Sequence, residues 1–538
     1  MRRELLYTAT LLSALMLAVG CEQPNTEVLQ AEPDYATIVL PTSSVAISKE
    51  GGIRTIFVES NRLDIDVQNQ SDWVDVNVEQ NALSLYVDAN ELKEERMAII
   101  DVVVGVAPDV AKGRLKVYQA GEGTVDLSAE GTANCYVVRT NSSYYFDASI
   151  KGNGDGDGKS NYIAHHGVEI EGGAYATLAW EATYDGDKTR STKIILDEPI
   201  YSPEDKSIYF STGQSEGNAL VAIHNAAGEI LWSWHLWVTN DRIGNSRNDT
   251  LVWMDRNLGA LSNAVGDISN RGMLYQWGRK EPFLPSTREY IYVPTHSYDS
   301  EGYLTETEEE FEAIEAAIAE AREKANASNT QVGNGTMEWH LVGEMAPVAL
   351  TAPGNIEYAV QHPTTVLGCR VDIPIGEYVF DWYLQQDLVG TTGGMQQSGS
   401  SLWADRKTIF DPCPVGYRVP PKGAFDELPE GYACTYVTDQ WKQTDYGWMW
   451  TKGNGDYFPC AGNFDVSGLI GETSEKLLYW TSESFGSGNQ GFGKSAQLFT
   501  AYGEVFYGIF PILDETDAAA WYSYGARCFA ASVRCVRE

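Results

Sequence analysis

Hydrophobic and polar positions alternate along most of this chain at the short period of a strand. Between Ile38 and Ala120 the apolar residues come in runs such as Leu83-Ser84-Leu85-Tyr86-Val87 and Ala98-Ile99-Ile100-Asp101-Val102-Val103-Val104, separated by polar turns. That spacing predicts a small antiparallel sandwich over residues 38–121. A second strand-rich stretch covers residues 122–240; it opens on Ala133-Asn134-Cys135-Tyr136-Val137-Val138 and has Asn218-Ala219-Leu220-Val221-Ala222-Ile223 near its end. In its last run Trp232, Trp234, Leu236 and Val238 fall on one face of a strand, and Leu231, Ser233, His235 and Trp237 on the other. Both faces are bulky, so the strand is predicted to be covered on both sides, with His235 packed rather than ligating. The helical period stands out between Leu304 and Ala327, where Phe311, Ile314, Ile318 and Ala321 recur in Glu-rich text. An amphipathic helix over about 304–327, inserted into the region 241–538, is the reading.

The first residues change the picture of where such a protein works. Arg2 and Arg3 precede an apolar run from Leu11 to Val19, too short to span a bilayer, and residues 1–20 read as a signal peptide. The run closes on Leu17-Ala18-Val19-Gly20-Cys21, which resembles a bacterial lipoprotein lipobox. The resemblance implies that Cys21 carries lipid and that the protein is tied to the outer membrane and exposed on the cell surface. Residues 21–37, polar and interrupted by Pro24 and Pro33, read as a flexible tether.

Composition narrows the partners. Seventy-five acidic against 38 basic side chains give a formal charge of -37, which repels phosphate backbones and excludes nucleic acid as a partner. Eight cysteines less Cys21 leave an odd set in an oxidisable compartment, so at least one is expected to be unpaired.

Particular residues carry family resemblances. Ser71-Asp72-Trp73-Val74, Arg96-Met97-Ala98-Ile99-Ile100 and Val117-Tyr118-Gln119-Ala120-Gly121 resemble the BACON domain of Bacteroidetes surface proteins. Five later blocks run in order: Trp253-Met254-Asp255-Arg256-Asn257-Leu258-Gly259-Ala260, Gly272-Met273-Leu274-Tyr275-Gln276-Trp277-Gly278-Arg279, Asp411-Pro412-Cys413-Pro414-Val415-Gly416-Tyr417-Arg418-Val419-Pro420, Tyr479-Trp480-Thr481-Ser482 and Ser532-Val533-Arg534-Cys535-Val536. They resemble the Fibrobacter succinogenes major paralogous domain, a C-type-lectin-like fold found in fimbrillin-like surface lipoproteins. The fold expected is therefore mostly β and multidomain: two Ig-like β-sandwiches followed by an α+β C-type-lectin-like domain with a helical insertion. The resemblance implies a disulfide between Cys413 and Cys535 that ties the first helix of that domain to its last strand; Cys434 and Cys460 are a second candidate pair, which would leave Cys528 free.

Several motifs tempt. Gly488-Asn489-Gln490-Gly491-Phe492-Gly493-Lys494-Ser495 matches a P-loop, but the β-type alternation after it predicts a hairpin instead of the helix a phosphate site needs. Gly213-Gln214-Ser215-Glu216-Gly217 matches a nucleophile elbow, yet it leads into a strand. The adjacent His165 and His166, taken as strand residues, point to opposite sides and make no zinc pair. Asn153, Asp155 and Asp157 place oxygens at alternate positions with Gly158 sixth, as in a calcium loop, although Ala164 stands where a bidentate acid belongs. Calcium is thus the one cofactor the sequence admits. Tyr446, Trp448 and Trp450 recur at period two and are the candidate ligand platform, against a default role as core.

These readings converge on a non-enzymatic surface lipoprotein. The expected role is an adhesin or binding module for a surface glycan or a host or bacterial protein, as a fimbrial tip or accessory subunit meeting other fimbrial subunits. A glycan-binding accessory of a polysaccharide uptake system is one alternative. Another is a copper-dependent formylglycine-generating-type enzyme of the same superfamily, with Cys528 and Cys535 as the paired thiolates.

Overall fold

Burial of every second residue builds the first module. In the strand Arg96–Val106 the side chains of Ala98, Ile100, Val102 and Val104 are buried, while Ile99 between them is 44% exposed. The computed structural model describes residues 35–155, 161–185, 188–190, 193–247, 251–284, 305–329, 338–341, 352–368, 382, 402–421, 424, 441–444, 447–450, 456–464, 470–471, 476–485, 492–499, 524–527 and 529–538. The signal segment, Cys21 and nearly all of the tether lie outside the described residues. The chain is mostly β, arranged in several separate sheets.

The first module is two facing sheets. One has the order Ser44–Ile47, Asp109–Gln119, Arg96–Val106, Ile65–Asn69; the other has the order Gly52–Phe57, Ala82–Val87, Val74–Glu79. Ser44–Ile47 runs parallel to Asp109–Gln119, and the other pairs are antiparallel. Ile56, Leu83, Leu85, Ile100, Leu115 and Val117 fill the space between them. Trp73 packs half-buried against this core with the Arg96 guanidinium 4.4 Å from its ring centroid.

A built joint connects this module to the second. Ala46, Ala120 and Tyr209 are buried together, flanked by Tyr118, Tyr145 and Ile200. Arg54 donates from Nη2 to Ser202 Oγ at 2.9 Å and pairs with Glu204. The Glu95 carboxylate accepts from Ser143 Oγ at 2.5 Å and from Ser211 Oγ at 3.1 Å.

The second stretch forms a five-stranded sheet in the order Cys135–Val138, Ile230–Val238, Gly217–Asn225, Gly173–Asp185, Lys188–Arg190. A four-stranded sheet containing Ser143–Asp147 and Ser207–Ser211 faces it. Phe146 lies between the sheets, 5.0 Å from Trp234 and 6.2 Å from Phe210 by ring centroids. Packing does not stop at residue 240. Ser233, His235 and Trp237, on the other face of Ile230–Val238, are covered by Lys280, Tyr275 and Ala260, and one hydrophobic core runs from Cys135 to Cys535.

The five C-terminal sequence blocks meet inside that core. Met254 N–H donates to Cys535 O, Leu258 N–H to Val533 O, Trp277 Nε1 to Thr481 O, Trp480 Nε1 to Tyr275 O and Ser482 N–H to Pro420 O. The largest sheet here includes Asn463–Phe464, Ala530–Ser532, Lys476–Phe485 and Phe492–Phe499, with Leu274–Gln276 pairing on Ala530–Ser532. The described residues also hold three α-helices, α1 (Asn161–His166), α2 (Glu308–Asn329) and α3 (Ala352–Gln361). The inserted helix α2 starts four residues later than the apolar period alone placed it. Thr307 and Glu310 form a reciprocal cap there, Thr307 N–H donating to Glu310 Oε2 at 2.9 Å and Glu310 N–H to Thr307 Oγ1 at 3.3 Å.

Candidate functional site

The described residues among those singled out in the sequence are scattered over the fold. Asn153 and Asp155 belong to a loop stitched onto the segment 406–411. Asn153 Nδ2 donates to Lys407 O at 3.2 Å, Asp155 N–H donates to Asn153 Oδ1 at 3.1 Å, and the Asp155 carboxylate pairs with Arg406. Gly152 sits at φ 53°, and a Cβ there would lie 2.3 Å from Ile409 O, so only glycine allows this approach. Calcium at this loop would have to displace the guanidinium from Asp155; Asp157 lies outside the described residues.

Trp448 and Trp450 belong to Gly447–Trp450, the central strand of a three-stranded antiparallel sheet, opposite Phe458 and Asp456 respectively. Tyr446 lies outside the described residues. Cys413 and Cys535 are joined in a disulfide with Cα atoms 6.1 Å apart. Cys413 stands in a turn, not on a helix as the resemblance implied, and Cys535 immediately precedes the strand Val536–Arg537. Of the expected pair Cys434 and Cys460, only Cys460 belongs to the described residues. Cys460 is a free thiol buried completely at the end of Asp456–Pro459, and burial pushes its pKa far up. Cys434 and Cys528 lie outside the described residues.

Two tempting motifs resolve into ordinary secondary structure, one in a strand and one on a helix. Lys476–Phe485 and Phe492–Phe499 pair antiparallel, which puts Lys494 and Ser495 of the P-loop match within a strand. The residue pair His165-His166 sits on α1 instead of a strand, and the His166 ring stacks on Tyr162 one turn earlier at 4.5 Å.

That short helix walls a cavity of about 510 Å³, also lined by Lys151, Val168, Glu169, Glu171 and Leu231. The sequence reading passed over it, because its parts come from separate turns. Tyr162 is 3% exposed, and Lys151 Nζ lies 5.9 Å from its ring centroid. Burial raises the Tyr162 pKa, and nearby Glu357 and Glu281 raise it further. His166 is held below its ordinary value by burial, against the opposing pull of Glu357, whose carboxylate is 3.9 Å away. Burial also brings Lys151 down to about 8, partly offset by Glu171. Lys151 Nζ donates to the carbonyls of His166, Gly167 and Glu169 at 3.3, 3.2 and 2.7 Å. Its three protons are all engaged, so this amine holds the 166–169 loop and is not a free nucleophile.

Other buried charges do similar work. Lys280 Nζ donates to Ser233 O at 2.9 Å and to Ser233 Oγ at 2.7 Å, and pairs with Glu281 at 2.8 Å while lying 4.3 Å from the Trp232 ring centroid. Arg279 bonds Glu281, Gln276 and the Thr365 carbonyl. Asp411 accepts the amides of Cys413 and Val419, and Arg534 donates to the carbonyls of Met254 and Tyr457. His235 is held neutral: Nε2–H donates to Asn218 Oδ1 at 2.8 Å, Nδ1 accepts from the Tyr275 hydroxyl at 3.1 Å, and burial lowers its pKa to about 3.

No family of known proteins and no curated protein matches the chain. Among solved structures it is similar to a protein from Bacteroides thetaiotaomicron determined by NMR, at 18% identity over 19% of this chain and 98% of that one, with a TM-score of 0.13. The titin M3 domain is similar at 7% identity over 16% of this chain and 97% of its own, with a TM-score of 0.13. An endo-fucoidan hydrolase of glycoside hydrolase family 107 is 10% identical over 39% of this chain and 29% of its own, with a TM-score of 0.14. None of these reaches the level at which a shared fold is established.

Proposed function

We propose that the protein is a non-catalytic, lipid-anchored surface protein that binds a glycan or a protein ligand, with its first sandwich as a spacer. The observation that carries this reading is the cavity at α1. It combines an aromatic wall of Tyr162 and His166 with the acidic groups of Glu169 and Glu171, while its lysine is locked onto three carbonyls. Such a cleft is suited to holding a ligand and has no activated nucleophile.

The spacer role is supported by the joint, which fixes the first sandwich to the second through Arg54 and Glu95. For the copper alternative, Cys535 would have to serve as a thiolate beside Cys528, and its sulfur is bonded to Cys413. A fimbrial role remains part of the proposal, as does the Gly447–Trp450 strand as a second contact area.

The test is a glycan array and a pull-down of host surface proteins with the full chain, run beside Tyr162→Phe and Glu171→Gln. The expected result is a ligand whose binding drops about tenfold in Tyr162→Phe, the effect of one hydrogen bond lost in the cleft. Absence of any ligand on both platforms, or turnover of a bound glycan by the purified chain, overturns the reading.

A further inference from the structure

The end of the first sandwich where the chain enters is apolar. Tyr35, Val39, Leu63 and Val106 are 67%, 57%, 89% and 74% exposed. Hydrogen bonds gather these positions at one pole. Ala36 N–H donates to Asp109 Oδ1 at 2.8 Å, Thr37 N–H to Asn61 Oδ1 at 2.8 Å, Asn61 Nδ2 to Tyr35 O at 2.7 Å and Arg62 Nη2 to Asp109 Oδ2 at 2.8 Å. Val39 lies opposite Glu59, Leu63 follows Arg62, and Val106 leads into the turn that ends at Asp109. The Asp109 charge is thereby compensated, and Glu59 and Asp64 are exposed beside the apolar tips.

The opposite end of the same hairpin carries the joint, since Glu95, bonded to Ser143 and Ser211, immediately precedes Arg96–Val106. Ten residues of strand rise separate the two ends, roughly 33 Å. Residues 22–34 connect the pole to Cys21. A chain of that length reaches at most roughly 45 Å even when fully extended, so the pole stays within that distance of whatever holds Cys21.

We infer that this pole is a lipid-facing foot. Tyr35, Leu63 and Val106 seat in the headgroup boundary of the bilayer that carries the acylated Cys21, and the second sandwich stands roughly 33 Å above it. This rests on the lipid-anchor reading for its geometry. Separate apolar tips of this kind bury their ends in a fluid interface. The exposed Glu59 and Asp64 favour zwitterionic over anionic lipid.

The experiment is vesicle flotation of the chain from residue 21 onward with Cys21→Ser, using phosphatidylethanolamine and phosphatidylcholine, so that no acyl chain contributes. The parent is expected to float, and a Tyr35→Ser, Leu63→Ser, Val106→Ser variant to partition at least about tenfold more weakly with an unchanged melting temperature. Leu92→Ser, a 59% exposed residue at the joint end, should float like the parent. The inference is overturned if the parent stays in solution, if the triple variant floats equally well, or if Leu92→Ser loses as much. A parent self-association that the triple variant abolishes overturns it too, as the pole would then be a contact between copies. Palmitate labelling of the full chain in cells is a separate readout: label without flotation sinks the foot alone, and flotation without label sinks the anchor alone.

Discussion

The Lys407 ammonium donates to the carbonyls of Cys413, Pro414 and Tyr417 at 2.9, 2.6 and 2.5 Å, holding the turn that carries the disulfide. Lys407→Met keeps the volume but removes the ammonium from those carbonyls, of which Pro414 O keeps the Tyr417 amide as a donor, and it is expected to cost about 3 kcal/mol, read as a lower denaturant midpoint. His235 gives a pH dependence of definite sign. Its folded pKa of about 3 lies below the ordinary 6.5, so the unfolded chain binds the proton first. The stability due to neutral His235 is complete above pH 6.5 and is lost as the pH falls from there toward 3. Between pH 7 and pH 5 the loss should be about 2 kcal/mol, and denaturant titrations at the two pH values should show it shrinking in His235→Gln. At this scale the sequence was partly legible: two bulky strand faces marked His235 as packed. Lys407, Lys151 and Lys280 left no such trace, because their partners are largely backbone oxygens, which no side-chain pattern encodes.

Elements were legible where one period held without interruption. The alternation that buries Ala98, Ile100 and Val102 is plain in the text, and so is the hairpin that disqualifies the P-loop match. The start of α2 lay in a side-chain code, Thr307 with Glu310, that the apolar period does not report. Thr307→Ala should cost about 1 kcal/mol at that end, and hydrogen exchange over residues 308–314 should speed up while the rest of the chain is unchanged. The histidine pair misled in the other direction. Asn161–His166 is too short to show a helical period, and its identity comes from Tyr162 stacking on His166.

For the molecule as a whole, the second stretch proved less separable than its strand count implied. Ser233, His235 and Trp237 face the C-terminal region, so residues 122–240 alone would expose a buried polar row and Trp237. That fragment is expected to lack a cooperative melt, whereas 122–538 should melt as one transition by calorimetry. The sequence announced this interface only through the bulk on both faces of one strand; its partners, Tyr275, Lys280 and Ala260, are a few tens of residues away and became identifiable only once the chain was folded. The parallel pairing of Ser44–Ile47 with Asp109–Gln119 carries a mechanical consequence. A pull applied between the two ends of the module enters at the start of Ser44–Ile47 and leaves at the end of Asp109–Gln119, so it drags the two past each other lengthwise. All their rungs then resist together instead of opening one at a time, and the module is built to bear tension.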